Sequence, residues 1–253
     1  MIAQIAVATT VGVMGWACLA LLKPPPPKVC DSPGGPPVTS PRVQLSDGRY
    51  LAYKEEGIAK EKAKYKIIIV HGFDSSKDLT QPISQLQIYI LQYDRAGYGE
   101  SDPHPKRSVK SESFDIEELA DKLQLGPMFY VLGLSMGAYP VWSCLKYILN
   151  RLAGVALVIP FVNYWWSCYP FECLYRNLVD FATTYIKNLF PDNEGSVHLW
   201  QAHDDRIVPR EPHRYLAEKL PWIQYHEVPN TGHLLIYNET SHWLNEKYII
   251  LYF

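Results

Sequence analysis

The chain has 253 residues, of which 47% are hydrophobic and 20% charged, a balance that excludes an intrinsically disordered chain and fits one α/β domain of ordinary size. A formal net charge of −2 gives no electrostatic reason to pair it with nucleic acid or an acidic polymer. No internal repeat is present. The five cysteines, Cys18, Cys30, Cys144, Cys168 and Cys173, have neither zinc-site spacing nor a disulfide framework, so free thiols are expected.

Met1 to Leu22 carries no charged side chain and is about long enough to cross a bilayer as a helix. Lys23 and Lys28 follow it, whereas a cleaved signal peptide carries positive charge before its apolar run. The segment reads as an uncleaved, single-pass anchor in an endomembrane, with the main domain cytosolic. A cleaved signal leading to secretion, or a buried helix, is the alternative. Glycan at the sequon Asn238-Glu239-Thr240 would reverse that orientation. Pro24 to Pro27 and the prolines from Pro33 to Pro41 make residues 23–42 a stiff linker with no core of its own.

From Val43 onward, strands alternate with helices. Val43 to Leu45 and Tyr50 to Tyr53 flank Ser46-Asp47-Gly48 as a hairpin. Tyr65 to Val70 and Ile88 to Tyr93 are uninterrupted apolar-rich runs, suited to the middle of a parallel sheet. Ile116, Leu119, Ala120 and Leu123 form a helical stripe. Met128 to Leu134 reads as a strand, Met136 to about Asn150 as a helix containing Pro140, and Leu152 to Ile159 as a strand. Val197 to Trp200 and Trp222 to Val228 are further strands around a helix from Arg210 to Leu220, and Ser241 to Phe253 can close the domain as a helix. This order predicts a doubly wound, mostly parallel sheet that binds ligands beyond the C-terminal ends of its strands.

The chemistry centres on Gly133-Leu134-Ser135-Met136-Gly137, between a strand and a helix. A serine on so tight a turn exposes its hydroxyl, and glycines two residues before and after let strand and helix approach. The helix aims its positive dipole end at the same place. Serine needs a base within hydrogen-bond reach, and the base needs a carboxylate to fix its tautomer. Of the downstream histidines, His213 lies in a helix, His226 in a strand and His242 on the last helix. His233 directly follows the last strand, in Pro229-Asn230-Thr231-Gly232-His233, and is read as the base. Asp204 and Asp205 compete as the acid after the Val197 strand; Asp205 is preferred within Asp-x-x-Val-Pro. The loop after the preceding strand, Phe161-Val162-Asn163, offers no acid. Two amides must face the developing oxyanion. Met136 supplies one, and Phe73, in His71-Gly72-Phe73 after the Tyr65–Val70 strand, the other. His71 itself reads as a structural loop residue rather than a second base. Gly97-Tyr98-Gly99 reads as a tight turn, not a phosphate loop.

The phrases Val70-His71-Gly72-Phe73-Asp74, Asp94-Arg95-Ala96-Gly97-Tyr98-Gly99-Glu100-Ser101, Gly133 to Gly137, Asp205 to Pro209 and Gly232-His233 together resemble the α/β-hydrolase superfamily, and most closely plant members with an N-terminal apolar segment. That resemblance implies a serine hydrolase acting on a small-molecule ester or similar acyl bond, without cofactor or metal. Acyl transfer to an alcohol and a non-catalytic ligand-binding role are the alternatives; oligomeric state is not implied. Family members usually carry a helical cap where this chain has only residues 162–196, with Tyr164-Trp165-Trp166 and Phe171 to Phe190 as its apolar parts. The stretch from Asp74 to Gln87, interrupted by Pro82, is short as well. A strongly shortened cap predicts a shallow cleft bordered by Phe73, Met136 and Tyr164 to Trp166.

Overall fold

The computed structural model describes residues 2–22, 28–79, 87–161 and 197–235. The expected cap, Cys168, Cys173, Pro82, the sequon, His242 and the closing helix lie outside the described residues. The chain divides into two compact units, Met1–Pro37 and Val38–Phe253. In the first, Ile2–Leu22 forms a 21-residue helix, α1. Among the described residues, which include only the side chains at 9–18, 21 and 22 of α1, no helix is long and apolar enough to cross a membrane. After α1, Lys28 Nζ donates to the Gly34 carbonyl (2.8 Å) and the Asp31 amide to the Pro36 carbonyl (2.9 Å), closing a small loop.

The second unit is built on one eight-stranded sheet: β1 (Arg42–Gln44), β2 (Tyr50–Gly57), β3 (Tyr65–Val70), β4 (Ile88–Tyr93), β5 (Phe129–Leu134), β6 (Leu152–Val158), β7 (Val197–Ala202) and β8 (Ile223–Val228), in the spatial order β1-β2-β4-β3-β5-β6-β7-β8. β1 and β2 pair antiparallel, as does β2 with β4; the other five pairings are parallel. The expected hairpin forms, with Leu45 N–H donating to the Arg49 carbonyl (2.8 Å) and Gly48 at φ +89°. A left-handed backbone there suits glycine.

Strand pleating divides the core into two layers. Ile68, Val70, Leu91, Val131, Val155 and Leu199 face one side, with helices α2 (Val109–Lys122), α3 (Ala138–Tyr147) and α4 (Glu211–Lys219) packed there through Ile116, Leu119, Val141, Leu145 and Leu216. Ile67, Ile69, Ile90, Leu132, Val158 and Trp200 face the other. Strands buried on both faces are mostly apolar, which is why β3 and β4 read as nearly continuous runs broken only by Lys66 and Gln92. α2 opens on reciprocal bonds between Ser108 and Ser111: each side chain accepts the other's backbone N–H, at 3.0 and 2.9 Å.

Two expectations need correction. The helix after Ser135 does not begin at Met136: Ser135–Gly137 is one 3-10 turn, α3 starts at Ala138 and ends at Tyr147, and Leu149–Arg151 is a second short turn. Pro140 therefore falls in the first turn of α3, where a missing N–H costs no helical bond. The linker expected over residues 23–42 ends early. The amides of Thr39 and Ser40 both donate to Glu100 Oε2 (2.9 Å each), and Arg42 already belongs to β1.

Candidate active site

The chain runs from β3 to β4 in one direction across the sheet and then returns to place β5 on the other side of β3. Such a reversal leaves a crevice beyond the C-terminal strand ends. His71 to Phe73 follow β3, Ser135 follows β5, and Asp205 and His233 follow β7 and β8, all on that edge.

Ser135 has φ +49°, a left-handed backbone that strains a non-glycine residue by roughly 1–3 kcal/mol. Surrounding contacts hold it there. A β-carbon at Gly137 would sit 2.1 Å from the Val70 carbonyl oxygen, and one at Gly133 would sit 2.7 Å from the Gly137 carbonyl oxygen. Only glycine permits this approach. The Phe161 amide donates to the Ser135 carbonyl (3.0 Å), tying the loop after β6 to the turn.

Ser135 Oγ lies 3.2 Å from His233 Nε2, and His233 Nδ1 lies 2.8 Å from Asp205 Oδ2. The other Asp205 oxygen accepts the amides of Ile207 and Val208, at 2.9 Å each. The Asp205 carboxylate is fully enclosed. Burial works to raise its pKa, but the bonds from His233, Val208 and Ile207 outweigh it and hold the pKa below the ordinary carboxylate value. An ionised Asp205 makes His233 Nδ1 the donor, leaving Nε2 free to accept from the serine hydroxyl. Asp204 is exposed, and its amide donates to the Thr231 carbonyl (2.9 Å). Burial therefore separates the adjacent aspartates: Asp205 faces the imidazole and Asp204 does not.

Ser135, Phe73, Met136 and His233 line a cavity of about 470 Å³ together with Leu79, Leu134, Ile159, Phe161, Ile207 and Leu234. The sequence reading brought Phe73 and Met136 to this wall and missed the last six residues. Its other cleft residues, Tyr164 to Trp166, lie outside the described residues. Ile159 has φ +44° and is buried; nothing in a sequence marks a β-branched residue for that conformation. The volume falls within the range of small-molecule pockets. Among the described residues, no group of three or more His, Cys, Asp or Glu could hold a metal ion.

The other motif residues brace the site. Asp94 is fully buried. Its Oδ1 accepts the Lys77 amide (2.8 Å), and its Oδ2 accepts the Glu100 amide (3.0 Å) and lies 3.3 Å from Lys77 Nζ. Ser101 Oγ donates to the Asp94 carbonyl (2.6 Å) and accepts the Ala52 amide (2.9 Å). Gly97 and Gly99 both have positive φ in the turn between, so Gly97-Tyr98-Gly99 is a structural turn. His213 is buried on α4, with Nε2 2.9 Å from the Pro160 carbonyl oxygen, and burial lowers its pKa to about 4. His226 stacks on Trp200 within the sheet, with ring centroids 4.0 Å apart.

No protein-family model and no curated protein matches the sequence. Solved structures do. A CIB-like hydrolase from Thermoplasma acidophilum superposes with a TM-score of 0.61 over 84% of this chain and 97% of its own, at 15% identity. The fold is that of the α/β-hydrolases. A thermophilic esterase from Thermogutta terrifontis has a TM-score of 0.57 over 77% and 92% of the two chains, at 18% identity. An enol-lactonase from Burkholderia xenovorans has 0.56 over 74% and 91%, also at 18%. At these identities the likeness is one of fold alone.

Proposed function

We propose that the protein is a serine hydrolase that cleaves an ester or similar acyl bond of a small molecule through an acyl-enzyme. His233 Nε2 takes the Ser135 proton as Oγ attacks the carbonyl carbon. The carbonyl electron pair becomes an oxyanion held by the Phe73 and Met136 amides, and the leaving alcohol departs with the proton from His233. Water then repeats the sequence and frees the acid. Asp205 fixes the imidazole tautomer and stabilises its positive charge.

The observation that carries this reading is the continuous contact from Ser135 Oγ through His233 to a buried, amide-bound Asp205. A binding protein has no chemical need for a serine in a strained turn backed by an oriented base. The apolar cavity beside Ser135 supplies room for an acyl group, and an esterase and an enol-lactonase are among the proteins that share the fold. The test is turnover of p-nitrophenyl butyrate by wild type, with Ser135→Ala and His233→Ala each losing nearly all of it. Turnover that survives Ser135→Ala would place the chemistry elsewhere.

The membrane role rests on the sequence: Ile2–Leu22 is uncharged and positive charge comes only after it. We infer that α1 is a single-pass endomembrane anchor. The likeness to plant members rests on that segment alone. Full-length protein should sediment with membranes, and protein beginning at Val38 should not; equal partitioning of the two would contradict the anchor.

A further inference from the structure

We propose that Asp74 is a specificity-determining residue that makes the site select acyl groups carrying an alkylammonium charge, a substrate class that rests on the serine-hydrolase reading above. Asp74 follows Phe73 directly and lines the cavity beside Ser135. Apart from His233, it is the one ionisable side chain in that lining among the described residues. Much of the remaining wall is apolar, through Leu79, Leu134, Met136, Ile159 and Phe161. The site therefore offers an acyl group apolar surface and one negative charge.

That charge is unspent. Asp74 is exposed, and among the described residues its carboxylate makes no hydrogen bond and no ion pair. The nearest cation along the chain, Lys77, is committed elsewhere: its Nζ lies 3.2 Å from Asp78 Oδ2 and 3.3 Å from Asp94 Oδ2, and its amide donates to Asp94 Oδ1 (2.8 Å). Asp74 has φ +50°, a left-handed backbone that Asp and Asn adopt more readily than other non-glycine residues. Replacing Asp by Asn therefore removes the charge and keeps the turn.

The carboxylate matters most once Ser135 has added to the ester. The oxyanion and Asp205 then carry one negative charge each, and the His233 imidazolium one positive charge. Asp74 adds a further negative charge next to the Phe73 amide that holds the oxyanion. A neutral acyl group leaves this excess standing, whereas one ending in an alkylammonium offsets it. The Phe73 ring, 71% exposed, is available to the same cation. An exposed ion pair and a cation–π contact contribute a few-fold each, so the preference for the cation should be roughly three- to tenfold.

The test compares full-length wild type with Asp74→Asn on two esters of one leaving group: p-nitrophenyl γ-trimethylammoniobutyrate, and its uncharged isostere with carbon in place of the nitrogen. Each kcat/KM is divided by that ester's spontaneous hydrolysis rate. The wild-type ratio of cation to isostere should be roughly three to ten. It should fall as salt rises from about 10 mM to about 1 M, because the Debye length shrinks from ~30 to ~3 Å. Asp74→Asn should lose most of the preference. Damage to the loop that carries the Phe73 amide slows both esters alike, so it leaves the ratio unmoved. A wild-type ratio at or below one, or a ratio that Asp74→Asn leaves unchanged, overturns the assignment. Should Asp74→Asn not fold, the salt dependence of the wild-type ratio carries the test, and a salt-independent ratio overturns it. A wild type that turns over neither ester in a Ser135-dependent manner would instead refute the hydrolase reading, and this selectivity with it.

Discussion

Gly137→Ala puts the smallest possible side chain where the nucleophile turn meets β3. The new β-carbon would lie 2.1 Å from the Val70 carbonyl oxygen, 2.7 Å from the His71 carbonyl oxygen and 2.9 Å from the Val70 carbonyl carbon, against the 3.4 Å at which ordinary contact begins. All three atoms are backbone, and Val70 is held in register by Tyr93 on one side and Gly133 on the other. No rotamer change relieves the clash; the turn and the end of β3 must separate by about an ångström. That places the cost at the upper end for overpacking, about 3 kcal/mol. For a chain of this size the melting temperature should fall by roughly 6–12 °C. The same separation moves Phe73 relative to Ser135, so kcat/KM should fall as well. Gly232→Ala is the control, because its nearest neighbour, the Asp204 carbonyl oxygen, would be 3.9 Å away; its melting temperature should stay within about 1–2 °C of wild type. Differential scanning calorimetry reads both. A Gly137→Ala melt no lower than that of Gly232→Ala would refute the packing argument for this glycine.

Three further outcomes are expected. Asp205→Asn should cut ester turnover by about four orders of magnitude through the lost tautomer, whereas exposed Asp204→Asn should leave it within about twofold; the reverse order would overturn the choice of acid. Glu100 is pulled from 4.5 to about 2: burial opposes the shift, but the bonds from Thr39 and Ser40 and the nearby Lys77 charge outweigh it. A depressed carboxylate pKa contributes stability above its unfolded value and loses it as pH falls through the folded one. The stability gap between wild type and Glu100→Gln should therefore shrink between pH 4.5 and about 2, read by urea denaturation, and a constant gap would contradict it. In a p-nitrophenyl ester series, kcat/KM should climb up to about fourfold per methylene while the acyl chain still fills the cavity, from roughly 0.8 kcal/mol per buried group. A flat series would mean the cavity walls do not hold the acyl group.

The sheet was legible where its strands are buried on both faces. β3 and β4 begin and end where their apolar-rich runs do, because a strand covered on both faces is mostly apolar. Boundaries set by tertiary contact were not. The 3-10 turn at Ser135 follows from glycine-mediated crowding against β3, and the packing of Thr39 and Ser40 on Glu100 joins residues about 60 positions apart. The serine and histidine were legible because their strand-end places follow from the order of elements. Asp204 and Asp205 are chemically alike and adjacent, so only burial separates them. The left-handed Ile159 leaves no local pattern, and the inner cavity wall built from Leu79, Ile159 and Phe161 went unread for the same reason.

The most direct test of the central claim is the site of covalent capture by a fluorophosphonate, read by intact mass and peptide mapping on the full-length chain. One adduct should form, on Ser135, disappear in Ser135→Ala and form far more slowly in His233→Ala. An adduct on another residue, equal labelling of Ser135→Ala, or a wild type left unlabelled at the rate of bulk serine would contradict a nucleophile at Ser135 activated by His233.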